Sequence, residues 1–341
     1  VTTDHPIHQR SRALLLLSVV LIYYAVVDVF VTHLAFSLSG IAWFGVVYQG
    51  LRLLLLLAGL QILSRFWKRQ TDSFGSDVVP QASPLGWKWL ARTRSDVGTG
   101  ALLGWGIAVA LVLPITLDGG LQVYFDASLG SWGRLLLIIL ATACGAALRQ
   151  TVLSGFPFRR LADATRPVTA VLLMSLFAVM SQFRDMRGNW AALAAVFLFQ
   201  VLCCVASLRT GSLWLGWAAD FAGRFALGAV FGFAVLGNSQ YSSNVLSGSD
   251  APDWITGGML GPVGSWLAPA VMLIAIAVLL QVTEIDVIAN IRPAGIPMNV
   301  AEIHAPAFPA VATAQPAGTS LIQIAPPPPA PEIPPAPERE P

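Results

Sequence analysis

The sequence predicts an all-α, polytopic membrane protein with eight transmembrane helices. Three observations lead there. Of 341 residues, 55% are hydrophobic and only 11% are charged, against about 25% charged in a soluble domain. The mean hydropathy is +0.69. Apolar runs of about 20 residues, the length that crosses a bilayer, recur eight times. This composition excludes a water-soluble enzyme, a disordered regulator and a nucleic-acid binder. The net charge of +2 is too small to imply a polyanionic partner.

The runs are 13–33, 41–63, 98–118, 134–153, 167–183, 190–207, 212–236 and 263–282. The first follows His8, Arg10 and Arg12; it is too long for a signal-peptide core and reads as a retained signal anchor. The runs 167–183 and 190–207 are short and call for little tilt. Orientation follows the basic residues of the loops. Arg65, Lys68, Arg69, Lys88, Arg92 and Arg94 lie after the second run, Arg159, Arg160 and Arg166 after the fourth, and Arg209 after the sixth. The alternate loops hold Asp118, Asp126, Asp250 and Asp253, with Arg184 and Arg187 against the trend. Both termini are therefore expected in the cytoplasm, in a multi-pass protein of a bacterial-type inner (plasma) membrane. Trp67, Trp89, Trp132, Trp190 and Trp266 lie near run ends, where an amphipathic ring suits the headgroup layer.

Cys144, Cys203 and Cys204 fall inside apolar runs and read as small packing residues. After residue 290 the material changes: 14 of the 23 prolines lie there. Proline fixes φ and removes a donor, so this tail is expected to be a largely disordered, polyproline-rich cytoplasmic extension. The chain thus divides into an N-terminal two-helix segment with its loop (1–97), a transmembrane core (98–282) and a proline-rich tail (291–341).

The ionisable residues say more than any single motif. No glutamate precedes Glu284, and no histidine lies between His33 and His304. A catalytic zinc site needs about three His, Cys or carboxylate ligands converging with a water. The fourth to eighth runs offer Asp220 alone as a carboxylate. A charge within a span costs about 2.5–3.5 kcal/mol on insertion scales, so each needs a reason. Asp28 and Arg52 sit in the first and second runs and can pair across helices or snorkel. Asp220 and Arg224, in GWAADFAGRF, are four residues apart on one helical face. They can pair within the helix or mark a polar pocket. Arg149 and Gln150 form a further polar spot near the end of the fourth run.

Around these residues the sequence resembles the CPBP intramembrane metalloprotease family, the type II CAAX prenyl endopeptidases and bacteriocin-processing relatives. Its members read EExxxR-G-F-x-F-RRL, then FxxxH a helix later, then HxxxN on a third. Gly155, Phe156, Phe158, Arg159, Arg160 and Leu161 keep the frame of the first motif, and Phe177 opens the second. Leu208 to Phe225 resembles the segment of the third, and Gly257 to Pro269 the glycine-rich lead-in to the last helix. The likeness spans roughly 98–282 and implies a CAAX-prenyl-endopeptidase-like helical bundle. The family's catalytic letters are replaced. Its paired glutamates fall on Arg149 and Gln150 and its arginine on Ser154. Its second-motif histidine falls on Ser181, and its third-motif His and Asn fall on Asp220 and Arg224.

The resemblance with these replacements leads to a non-catalytic relative, a pseudoenzyme that binds a membrane partner or a prenylated, lipid-like ligand. No catalytic residue is intact and no metal or other cofactor is expected. The alternative implied by the family is an intramembrane metalloendopeptidase that processes prenylated proteins, with zinc. A transporter or channel subunit is a third reading that the Asp220–Arg224 pair permits. The expected surroundings are the lipid bilayer, with no nucleic acid. Family geometry is expected to gather Arg149, Gln150, Ser181, Asp220 and Arg224, with an arginine standing in for the metal's charge.

Overall fold

A computed structural model describes residues 6–36, 44–72, 85–119, 121–183, 185–186, 188–237 and 244–282. The chain divides into two units, 1–294 and 295–341. The second unit, and with it the tail expected to be disordered, lies outside the described residues, as do Arg184 and Arg187.

Each apolar run carries a helix: α1 (Pro6–Phe36), α2 (Phe44–Asp72), α3 (Thr93–Leu117), α4 (Leu129–Leu153), α6 (Pro167–Gln182), α7 (Trp190–Thr210), α8 (Trp214–Phe225) and α10 (Leu267–Val282). The short helices α5 (Phe156–Ala164) and α9 (Asp253–Thr256) lie between them. Among the described residues, five helices are long and apolar enough to cross a membrane, with spans Leu14–Leu34, Phe44–Arg65, Thr93–Leu117, Leu129–Ala164 and Trp190–Thr210. The protein is therefore a mostly helical, multi-pass membrane protein.

Two expectations need correction. The run 212–236 is not one helix. α8 ends at Phe225 and passes into a π-helical turn, Ala226–Val230, where the Phe231 amide donates to the Ala226 carbonyl at 2.8 Å. A π turn re-aims a helix end and is frequent at functional sites. Nor is the chain all-α. β1 (Leu121–Phe125) and β2 (Val245–Ser249) pair antiparallel, Leu121 opposite Ser249 and Phe125 opposite Val245. Loop backbone that leaves the helices still needs hydrogen-bond partners, and a two-stranded ribbon supplies them.

Local chemistry sets the helix ends. At the start of α4, Ser128 caps the Ser131 amide at 3.3 Å. Asp126 accepts from the Ser128 amide at 2.9 Å and from the Ser131 hydroxyl at 2.5 Å. These bonds, Ser131 first, hold the Asp126 carboxyl below the usual carboxylate range. Asn189 caps α7 by accepting from the Ala192 amide at 3.0 Å. Gly155 joins α4 to α5 where a Cβ would stand 2.2 Å from the Thr151 carbonyl oxygen. Pro157 then opens α5, a position where its missing amide costs nothing. The Arg159 guanidinium donates to the Gly211 carbonyl at 2.8 Å, tying α5 to the end of α7. The segment before α3 is pinned by two indoles: Trp87 donates to the Thr151 hydroxyl and Trp214 to the Lys88 carbonyl.

Packing separates two apolar clusters that share α7. One contains Ile107, Leu111, Leu202, Leu227 and Met272. The other contains Leu56, Leu153, Phe158, Met174 and Val196. Cys203 belongs to the first and Cys204 to the second. All three cysteines are free thiols. Trp89, Trp132, Trp190 and Trp266 are exposed near helix ends, as an interfacial belt requires; the Trp67 side chain lies outside the described set.

Candidate functional site

The site begins with a close contact between two helices. A Cβ on Gly100 would stand 2.3 Å from the Leu215 carbonyl oxygen. One on Gly104 would stand 2.4 Å from the Ala219 carbonyl oxygen and 2.8 Å from the Gly223 nitrogen. Glycines four apart let α3 touch the backbone of α8 across its own small residues. That contact fixes the depth of Asp220, which lies between Ala219 and Gly223.

Asp220 is 2% exposed and meets two guanidinium groups. Arg149 Nε, from the last turns of α4, donates to Oδ2 at 2.8 Å. Arg224 Nε, one turn along α8, donates to Oδ1 at 2.7 Å. The two arginine side chains are 20% and 15% exposed. The expected single arginine partner is thus two, one on each carboxylate oxygen. Charge-assisted bonds of this kind are among the stronger polar contacts available to a buried group.

Beside this clamp lies a cavity of about 70 Å³, at the junction of the two apolar clusters. One water needs roughly 10–15 Å³ on the same basis, so the cavity holds several. α4 and α8 contribute Arg149, Gln150, Asp220 and Arg224 to its wall, while α3 contributes Gly104, Ile107 and Leu111. Gln150 is buried; its Nε2 donates to Cys203 Sγ at 3.2 Å, and its Oε1 has no partner.

Two anticipated residues are elsewhere. Ser181 is exposed, and its hydroxyl donates to the Ala178 carbonyl at 2.8 Å. From α6 the cavity receives Ala178 and Gln182 instead. Ser154 lies behind the wall in a second polar cluster, where Gln200 Nε2 donates to its hydroxyl at 3.1 Å and the Ser207 hydroxyl donates to its carbonyl at 3.1 Å. Gln182 and Gln200 also stand on the cavity wall, and no motif points to them. The sequence signal for them is an amide side chain within an apolar run, which needs a partner or a cavity. Asp28 and Arg52 form a separate ion pair between α1 and α2. There the Arg52 guanidinium donates to the Tyr24 hydroxyl at 3.1 Å and lies 4.9 Å from the Tyr48 ring centre.

Fold and site together define a helical membrane protein with a largely apolar chamber, whose one carboxylate among the described residues is clamped by two arginines. Residues 131–226 match the model of the type II CAAX prenyl endopeptidase Rce1-like family. Those residues are similar to that family, and the CPBP resemblance read from the motifs is borne out. No curated protein and no solved structure matches the chain.

The family implies a bound metal, and the donors here do not fit one. Among the described residues, no three His, Cys, Asp or Glu side chains come together. Both oxygens of Asp220 already accept from cations. A divalent ion brought to this carboxylate would face two guanidinium groups at the same point, and like charges at that range repel it.

Proposed function

We propose that the protein is a non-catalytic relative of the type II CAAX prenyl endopeptidases. Its chamber binds a lipid-like ligand or a segment of a membrane partner. The clamp on Asp220 carries this reading. Hydrolysis of an amide needs a water activated by a metal or a general base, and the carboxylate at the centre is engaged at both oxygens by fixed cations. The six helices around the chamber still supply a largely apolar wall with a few polar groups, the usual make-up of a ligand site. The test is a peptidase assay on detergent-purified full-length protein with a farnesylated CAAX-type peptide. The expected result is no turnover above blank, with or without added zinc or chelator. Turnover that Asp220→Asn abolishes would return the protein to the metalloendopeptidases.

The proposed topology has eight spans and both termini on the cytoplasmic side of a bacterial-type plasma membrane. The helices α6, α8 with its π turn, and α10 complete the set begun by the five long ones. The distribution of Lys and Arg supports this orientation. α3 has 25 residues, or roughly 37 Å at 1.5 Å per residue, enough to cross a core of about 30 Å. In a background without native cysteines, Ala91→Cys and Ala127→Cys, both exposed, should label from opposite sides. Labelling of both from one side would overturn the topology.

A further inference from the structure

We propose that the chamber takes an amphiphile with a single anionic oxyacid head, a carboxylate or a phosphate. This rests on the reading that the chamber binds a lipid-like ligand, and it specifies which kind.

The ionisable side chains on the chamber wall are Arg149, Asp220 and Arg224 among the described residues. Two guanidinium groups and one carboxylate thus stand on a mostly apolar wall. Arg224 is only 15% exposed, and an anionic group brought beside a half-buried guanidinium gains a charge-assisted bond. The geometry suits an oxyanion. Arg224 commits its Nε to Asp220 at 2.7 Å, and its two Nη groups make no bond within the described residues. They retain N–H donors in the planar fork that matches carboxylate and phosphate oxygens. A zwitterionic head fits worse, because its ammonium would meet the same two guanidinium groups.

The wall also divides by polarity. The charges come from α4 and α8, whereas α3 and α10 present Gly104, Ile107, Leu111 and Met272. A head set against α4 and α8 leaves its chain beside α3 and α10. The cavity of about 70 Å³ exceeds the roughly 10–15 Å³ of one water several-fold, room for a small oxyacid head. Gln150, Gln182 and Gln200 are the uncharged polar side chains on the wall.

The test uses the full-length protein in a non-ionic detergent with four probes: oleate, 1-oleoyl-lysophosphatidate, oleyl alcohol and inorganic phosphate. Binding is read by native mass spectrometry and by the shift in melting temperature. At least one oleoyl anion should bind about ten- to a hundredfold more tightly than oleyl alcohol, the range expected when a bond gains a charged partner. Inorganic phosphate should compete only weakly. Arg224→Gln should erase the preference for the anion. Asp220→Asn, which keeps both guanidinium groups and removes their counter-charge, should strengthen anion binding and enlarge the melting shift.

Equal affinity for oleyl alcohol and the anions would overturn the anionic head while leaving lipid binding intact. Inorganic phosphate that matches the lysophosphatidate would overturn the amphiphile, leaving a free-anion site. Failure of all three oleoyl probes would overturn both this inference and the lipid-like reading beneath it. The comparison of probes on the unmodified protein needs no variant to fold.

Discussion

Asp220→Ala is expected to cost about 3–5 kcal/mol of folded stability, the loss seen when one partner of a well-buried ion pair is removed. The carboxylate is 2% exposed and joins α4 to α8 through residues 71 positions apart in the chain. Without it, Arg149 and Arg224 keep their charges but lose the group that compensated both. Because the arginines are two, a double change recovers only part of the loss: Asp220→Ala with Arg224→Met still leaves the Arg149 guanidinium beside an empty carboxylate position. The triple change Asp220→Ala, Arg149→Met, Arg224→Met should recover most of it, since apolar groups of similar size often replace a buried charge cluster at little cost. Denaturant or thermal unfolding in detergent measures all three. A single Asp220→Ala within about 1 kcal/mol of the parent would show the clamp to be solvent-screened, as exposed pairs are.

Gly104→Ala should be nearly as damaging, by about 3 kcal/mol, although it adds one carbon to a helix. The added Cβ meets the backbone of α8, the Ala219 carbonyl oxygen at 2.4 Å and the Gly223 nitrogen at 2.8 Å, so no rotamer change relieves it. α8 must move, and Asp220 moves with it. Gly106→Ala on the same helix is the matched control: nothing lies within 4 Å of its Cβ position. There alanine should be neutral or stabilising by roughly 0.5–1 kcal/mol, through helix propensity. If Gly104→Ala were tolerated as well as Gly106→Ala, the close approach of α3 and α8 would be refuted. Gly104→Ala and Asp220→Ala should also combine with less than the sum of their separate losses, because the first already disturbs what the second removes.

Legibility in the sequence varied from residue to residue. Asp220 and Arg224 could be paired by eye because four residues bring two side chains to one helical face. Arg149 follows from its spacing to GFPFRRL, and its Nε stands 2.8 Å from the Asp220 carboxylate. The same kind of spacing points to Ser181, which is exposed and does not line the chamber. On a helix at 100° per residue, Ser181 and Gln182 stand roughly 60° and 40° to either side of Ala178. Spacing therefore admits both, and the rotation of α6 against α7 turned Gln182 inward. The glycines at 100 and 104 are a small-residue pair legible in the sequence. Their partner was not, since a close approach needs small residues on both helices and the sequence does not say which two helices meet.

By itself the sequence determined the solvent, the helical runs and the chemistry that is missing. Those are properties of composition and of local period: apolar runs must be satisfied by their own backbone bonds in lipid, and no fold can supply a glutamate that residues 1–283 do not contain. Tertiary structure alone decided which cations share Asp220, where α8 gives way to a π turn, and that residues 121–125 pair with 245–249. Each of these joins segments far apart in the chain or ends a helix against its neighbours. Such outcomes depend on how packed surfaces fit together, and the pattern within one segment does not carry that information.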